Sequence, residues 1–167
     1  IRLASRFNQT TAKETLIDLL DTNSHVIRKE VILALGNLKI LEVENKIKSM
    51  YYEQPNDVQI AIINYINTVN SGESLDFLHH IYLNTLGLET KHFIVEAIYL
   101  YTNGGQELFE KLHAAEEGFN ELIFEHVKNK LISGRLRKAH TSNKNKVSIP
   151  GTDNKQSSIE KSKLINY

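Results

Sequence analysis

The stretch Asp21-Thr22-Asn23-Ser24-His25-Val26-Ile27-Arg28-Lys29-Glu30-Val31-Ile32-Leu33-Ala34-Leu35-Gly36-Asn37-Leu38 decides the fold. Its residues Ile27, Val31, Ala34, Leu35 and Leu38 follow i, i+4, i+7, i+8, i+11, which is one face of a helix. A shift of 31 residues turns them into Val58, Ile62, Tyr65, Ile66 and Val69, apolar at every position. The segments between obey the same shift. Ala12, Leu16, Leu19 and Leu20 become Val43, Ile47, Met50 and Tyr51, then Ser74, Leu78, Ile81 and Tyr82, where Ser74 falls at an expected helix start. A further second-helix stripe, Phe93, Ala97, Leu100 and Tyr101, follows after a shift of 35, because the connection around Gly87 is longer. A degenerate fourth copy is placed at Phe119, Ile123, His126 and Val127, preceded by a helix bearing Leu108, Phe109 and Leu112. Repeats this short cannot bury their own apolar faces, so they must stack on their neighbours. The spacing predicts all-α structure of about four antiparallel helix pairs, with at least seven helices between Ala12 and Ile132.

Local punctuation agrees. Thr11-Ala12-Lys13-Glu14 has the form of a capping box and predicts a helix from about Ala12. Pro55 stands at the start of a second helix, and Asn103-Gly104-Gly105 separates the third pair from the fourth. Carried backwards, the pattern lands on Leu3, Ala4 and Phe7, which predicts that the array opens inside a repeat.

Asp21, the pair Ile27-Arg28 and the run Ala34-Leu35-Gly36 resemble the signature of the HEAT and HEAT-like repeat family. The resemblance covers roughly residues 1–132 and is sharpest in this repeat, since Gln59 stands for Arg28 and Asn67 for Gly36 in the next. It implies a right-handed α-solenoid that grips partners, with Asp21 and Arg28 linking neighbouring repeats and Gly36 permitting close helix approach.

Composition limits the chemistry. The 167 residues carry 20 Lys/Arg and 20 Asp/Glu, so the whole molecule exerts no net pull on nucleic acid or anionic membrane. That neutrality hides an asymmetry. From Ser133 onward eight Lys/Arg face only Asp153 and Glu160, a surplus of six positive charges that leaves the rest acidic by the same amount. The composition turns to Ser, Asn, Lys and Thr there, and apolar periodicity ends. The expected organisation is a repeat domain over residues 1–134 and a basic tail over 135–167, disordered and dispensable for folding. There is no cysteine, which removes disulfides, thiolate metal sites and cysteine nucleophiles, and fits a cytoplasmic setting. No apolar run approaches the ~18 residues of a membrane span. The chain opens on Ile1, not Met, which leaves room upstream for an anchor that would tether it to a membrane.

The seven histidines offer no metal motif. His79 and His80 are adjacent and diverge by about 100° on a helix, and no His-Glu-x-x-His occurs. The His-Glu dipeptides that mark the di-iron hydroxylases of this repeat class are missing, no phycobilin-lyase pocket is marked, and no phosphate loop or nucleophile elbow is present. Neither a cofactor nor a catalytic residue is expected. Most tyrosines fall on inward stripes; Tyr52 and Tyr99 do not, and Tyr99 is expected to be an exposed anchor. The function expected is a non-enzymatic scaffold for a protein or peptide, held on second-helix positions Leu33, Asn64, Tyr99 and Gly36, Asn67, Thr102. A competing reading is nucleic-acid binding of the kind seen in HEAT-like DNA glycosylases, with the basic tail as an arm; the acidic body opposes it.

Overall fold

The computed structural model describes residues 11–144, with side chains through residue 134. Among the described residues all regular structure is helical. Helix α1 covers residues 11–18 and tightens into a 3-10 turn at Leu19–Asp21. Helix α2 is His25–Asn37, and α3 is Glu44–Ser49 followed by a 3-10 turn at Tyr51–Glu53. Then come α4 (Asn56–Val69), α5 (Leu75–Asn84), α6 (Leu88–Leu100), α7 (Gly105–His113) and α8 (Phe119–Lys144). The chain forms two compact units, Ile1–Leu131 and Ile132–Tyr167.

Packing runs from one second helix to the next. α2 lies against α4 and α4 against α6, while α6 also meets α5 and α7, and α3 rests on α4. One continuous core results, with Leu20, Ile32, Leu35, Ile47, Tyr51, Ile62, Tyr65, Leu78, Tyr82, Ile98, Phe109 and Phe124 closed to solvent. The 31-residue shift holds where elements have neighbours on both sides. Ile47, Tyr51 and Leu78, Tyr82 occupy matching buried positions, and Gly105, Phe109, Leu112 continue the series in α7.

The ends of the stripes are corrected. Ile27 and Leu38 are 46% and 56% exposed, and Ala12 and Leu19 of the first stripe are exposed too, although Val58 and Val43, the equivalents of Ile27 and Ala12, are buried. α4 packs against both α2 and α6, whereas the face of α2 that carries Ile27 and Leu38 stays open. The third repeat follows α4 at a shift of 36, not 35. Val58, Ala61, Ile62, Ile63 and Tyr65 correspond to the buried Ile94, Ala97, Ile98, Tyr99 and Tyr101, while Phe93 and Leu100 are only half-buried. The fourth copy slips further. Phe119 is 76% exposed and His126 is exposed; Val127 is buried as expected, Ile123 is half-buried, and Phe124, off the expected stripe, points into the core. Phe124 wins because its ring meets Tyr82 and Phe109 at 5.8 and 5.0 Å.

Boundaries follow local chemistry. Ser24 caps α2 by accepting from the Ile27 N–H, and Pro55 precedes α4, where its missing N–H costs nothing. Thr11 already lies in the helical stretch, one residue ahead of the start expected at Ala12. Gly104 sits at φ 78°, and a Cβ on Gly105 would strike the Ile98 carbonyl and the Tyr101 Cβ. The Asn103-Gly104-Gly105 turn therefore needs both glycines. The compositional boundary at residue 134 falls inside α8. Residues 135–139, Arg-Leu-Arg-Lys-Ala, are strong helix formers, so lost periodicity does not end the helix there. The expectations placed on Leu3, Ala4 and Phe7, and on the tail from 145 to 167, lie outside the described residues.

Candidate functional site

Of the second-helix positions expected to face a partner, Asn64 and Thr102 are exposed, and Leu33 and Asn67 half-buried. Thr102 donates its hydroxyl hydrogen to Asn70 Oδ1 at 3.0 Å. Tyr99 is not among them. It is 8% exposed, and its ring stands edge-on to Phe109 with centroids 4.8 Å apart. The one-residue slip in register explains the error: Tyr99 is the counterpart of the buried Ile32 and Ile63, and Leu100 takes the place of Leu33 and Asn64. Gly36 is buried too. A Cβ there would stand 3.3 Å from Tyr65 Cα, which marks a close approach of α2 to α4.

Polar side chains tie the helices together, both within a pair and from one pair to the next. Asp21 accepts from Lys46 Nζ at 2.8 Å, an exposed pair worth little by itself. Arg28 donates from Nε to the Leu20 carbonyl at 3.0 Å, from Nη1 to Gln54 Oε1 at 2.7 Å, and from Nη2 to the Thr22 carbonyl. Gln59, which replaces Arg28 one repeat later, donates Nε2 to the Tyr51 carbonyl at 3.2 Å. Tyr51 is Leu20 shifted by 31, so one structural bond recurs through two different side chains.

Glu44 is the most deeply placed carboxylate described. Burial works to raise its pKa, but hydrogen bonds from Ser74, Lys48 and Ser71 outweigh it and hold the carboxyl below its ordinary value. Ser71 donates at 2.9 Å, Lys48 stands at 3.0 Å, and the fully buried Ser74 hydroxyl makes the third bond. These contacts fasten α3 to the start of α5, where the Tyr101 hydroxyl also accepts from the Gly72 and Ser74 N–H groups at 3.0 and 2.9 Å. Tyr82 donates to Glu116 at 2.6 Å; burial and that carboxylate both push the Tyr82 hydroxyl upward.

A pocket of about 310 Å³ opens where the turn after α3, the start of α4 and the α5–α6 connection meet. Its wall comprises Tyr51, Tyr52, Asn56, Gln59, Asn84, Thr85, Leu86, Gly87 and Thr90. The connection is longer here than in the preceding pairs: Tyr82 and Ile94 are twelve residues apart, against seven for Tyr51 and Val58. The additional residues supply the rim. Leu86 is 93% exposed and Tyr52 55%. The Tyr51 hydroxyl, beside Thr85, is the one buried side-chain polar atom among the described residues that completes no hydrogen bond of good geometry. Leaving such a group unsatisfied costs about 1–3 kcal/mol. Only the longer Gly87 connection hinted at this pocket in the sequence.

The histidines do not converge. His92 faces His126 with ring centroids 5.3 Å apart, and burial lowers the His92 pKa. His80 lies against Tyr52 at 6.3 Å, and His113 stacks on Phe124. Among the described residues no group of three or more His, Cys, Asp or Glu has metal-binding geometry, and no helix is long and apolar enough to cross a membrane. Compared with known proteins, the chain matches no family model, no curated protein and no solved structure.

Proposed function

We propose that this chain is a non-catalytic scaffold, a HEAT-like right-handed solenoid whose successive second helices hold a protein or peptide. The observation that carries the reading is the ordered packing of α2 on α4 and α4 on α6, with the Arg28–Leu20 bond repeated by Gln59 and Tyr51. Such stacking sets Leu33, Asn64 and Leu100 at equivalent positions, a partly exposed row of two leucines and one amide that carries no charge. The buried polar side chains further support it, because Glu44, Ser74 and Tyr101 are spent on fastening helix pairs together. Nucleic-acid binding draws less support. Among the residues before Ser133, which are acidic overall, Lys13, Lys29, Lys46, Lys48, Lys128 and Lys130 each lie within 4.0 Å of a carboxylate, so most of the lysines there are already matched.

The test is site-specific photocrosslinking from position 64 in the full chain, compared with a Leu33→Ala/Asn64→Ala/Asn67→Ala variant in affinity capture. A discrete crosslinked partner that the folded variant no longer captures supports the reading. Undiminished capture by the variant removes it. Salt-sensitive retardation of DNA or RNA at low salt, surviving removal of residues 145–167, favours the nucleic-acid reading instead.

A further inference from the structure

The pocket beside Tyr51 has hydrogen-bonding capacity left over. Gln59 Nε2 donates to the Tyr51 carbonyl at 3.2 Å, and Asn84 Nδ2 donates to the His80 carbonyl at 2.8 Å. A carbonyl only accepts, so these partners fix both amide orientations and leave Gln59 Oε1 and Asn84 Oδ1 as the uncommitted ends. Asn56 has a partner at each end: it donates to Glu89 Oε2 at 3.1 Å and accepts from the Thr90 hydroxyl. The wall therefore offers a ligand two amide oxygens and the hydroxyl oxygens of Thr85 and Tyr51 as acceptors, beside the second N–H of each amide; the Tyr51 hydroxyl is buried and completes no hydrogen bond of good geometry. No Lys or Arg lines the pocket, and the Glu89 carboxylate stands behind Asn56.

We infer that this pocket receives the guanidinium of an arginine carried by an extended segment of the partner, with Tyr52 as its stacking surface and Leu86 as an apolar lip. The inference rests on the peptide-holding reading above. A guanidinium brings five donors in a planar fork, accepts none and stacks on aromatic rings. It thus matches a site with spare acceptors and a half-exposed tyrosine. Lysine does not match: its compact, strongly hydrated ammonium gains too little from neutral oxygens spread over several elements to offset its desolvation. At about 310 Å³ the pocket is at the small end of ligand sites, sized for a side chain. The exposed Leu86 gives an apolar neighbour of that arginine a place to rest. The acidic body, with its surplus of six negative charges before Ser133, draws a cationic segment in.

The probe is acetyl-Leu-Arg-Leu-amide, titrated into the full isotope-labelled chain and followed by amide shifts and tyrosine fluorescence. Shifts concentrated at residues 51–59 and 84–90 are expected, with the lysine analogue weaker by at least about fivefold and the neutral, planar citrulline analogue between them. Tyr52→Ala and Asn84→Leu, both at exposed positions, each weaken the arginine peptide by at least about threefold while circular dichroism shows the fold intact. Equal binding of lysine and arginine peptides, shifts that map elsewhere, or no binding overturns the inference. Argininamide binding as tightly as the tripeptide overturns the peptide source and leaves a site for a small guanidinium compound. Arginine-peptide binding with no effect of the Leu33, Asn64 and Asn67 substitutions on capture sinks the second-helix reading alone; the reverse result sinks the pocket alone.

Discussion

Replacing Glu44 by alanine removes a carboxylate that accepts from Ser74, Ser71 and Lys48. Hydrogen bonds to charged groups contribute roughly 1.5–3 kcal/mol each when buried. The three are not equivalent. Ser71 and Lys48 can rebond to water, since both are only half-buried, whereas the Ser74 hydroxyl has no access to solvent and is left without its partner. A net loss of about 2–4 kcal/mol follows, a drop in melting temperature of roughly 6–12 °C for a domain of this size. The pH dependence carries the signature. The Glu44 carboxyl is held below its ordinary value near 4.5, so its stabilisation is complete above that value and disappears as pH falls through the lower folded-state value. The gap between the native chain and Glu44→Gln should thus be widest near neutrality and close progressively below about pH 5. Urea unfolding at a series of pH values measures it, and a double-mutant cycle with Ser74→Ala isolates the pair. A loss under about 0.5 kcal/mol, or additivity of the two substitutions within about 0.3 kcal/mol, refutes the claim that this carboxylate fastens α3 to α5.

Leu35→Ala should cost about 2–5 kcal/mol in urea unfolding, because Leu35 is fully buried; a loss below about 0.5 kcal/mol would place the register wrong. Tyr99→Ala should lower stability by about 3–5 kcal/mol and Tyr52→Ala by less than about 1 kcal/mol, since Tyr99 packs on Phe109 and Tyr52 is exposed; equal losses contradict the assignment. Burial, with the Glu44 charge second, pushes the Tyr65 hydroxyl up to about 12, and Tyr82 is raised too. Folded values above unfolded ones stabilise fully below pH 10 and progressively less above it, so both tyrosines should ionise together with alkaline unfolding when tyrosinate absorbance and circular dichroism are read in parallel.

The amino-acid sequence by itself determined the helices and the buried stripe of the second repeat. Val58, Ile62, Tyr65 and Ile66 are buried where the 31-residue shift put them, because apolar residues at helical spacing must find a covered face wherever neighbours exist on both sides. Periodicity carries no information about which neighbours exist, so Ile27 and Leu38 satisfy the pattern and are still exposed. Nor does it fix register across a longer connection, where one residue of slip moves a side chain by about 100° around the helix. That slip is what buried Tyr99 and left Leu100 in its place. Arg28 and Gln59 share a bond that their identities do not suggest, because only the distance to a carbonyl eight residues back makes them equivalent. The pocket at Tyr51 belongs wholly to the tertiary structure: its residues come from α4, from a 3-10 turn and from the longer α5–α6 connection, and nothing in their spacing along the chain brings them together before α3, α4 and α5 have packed.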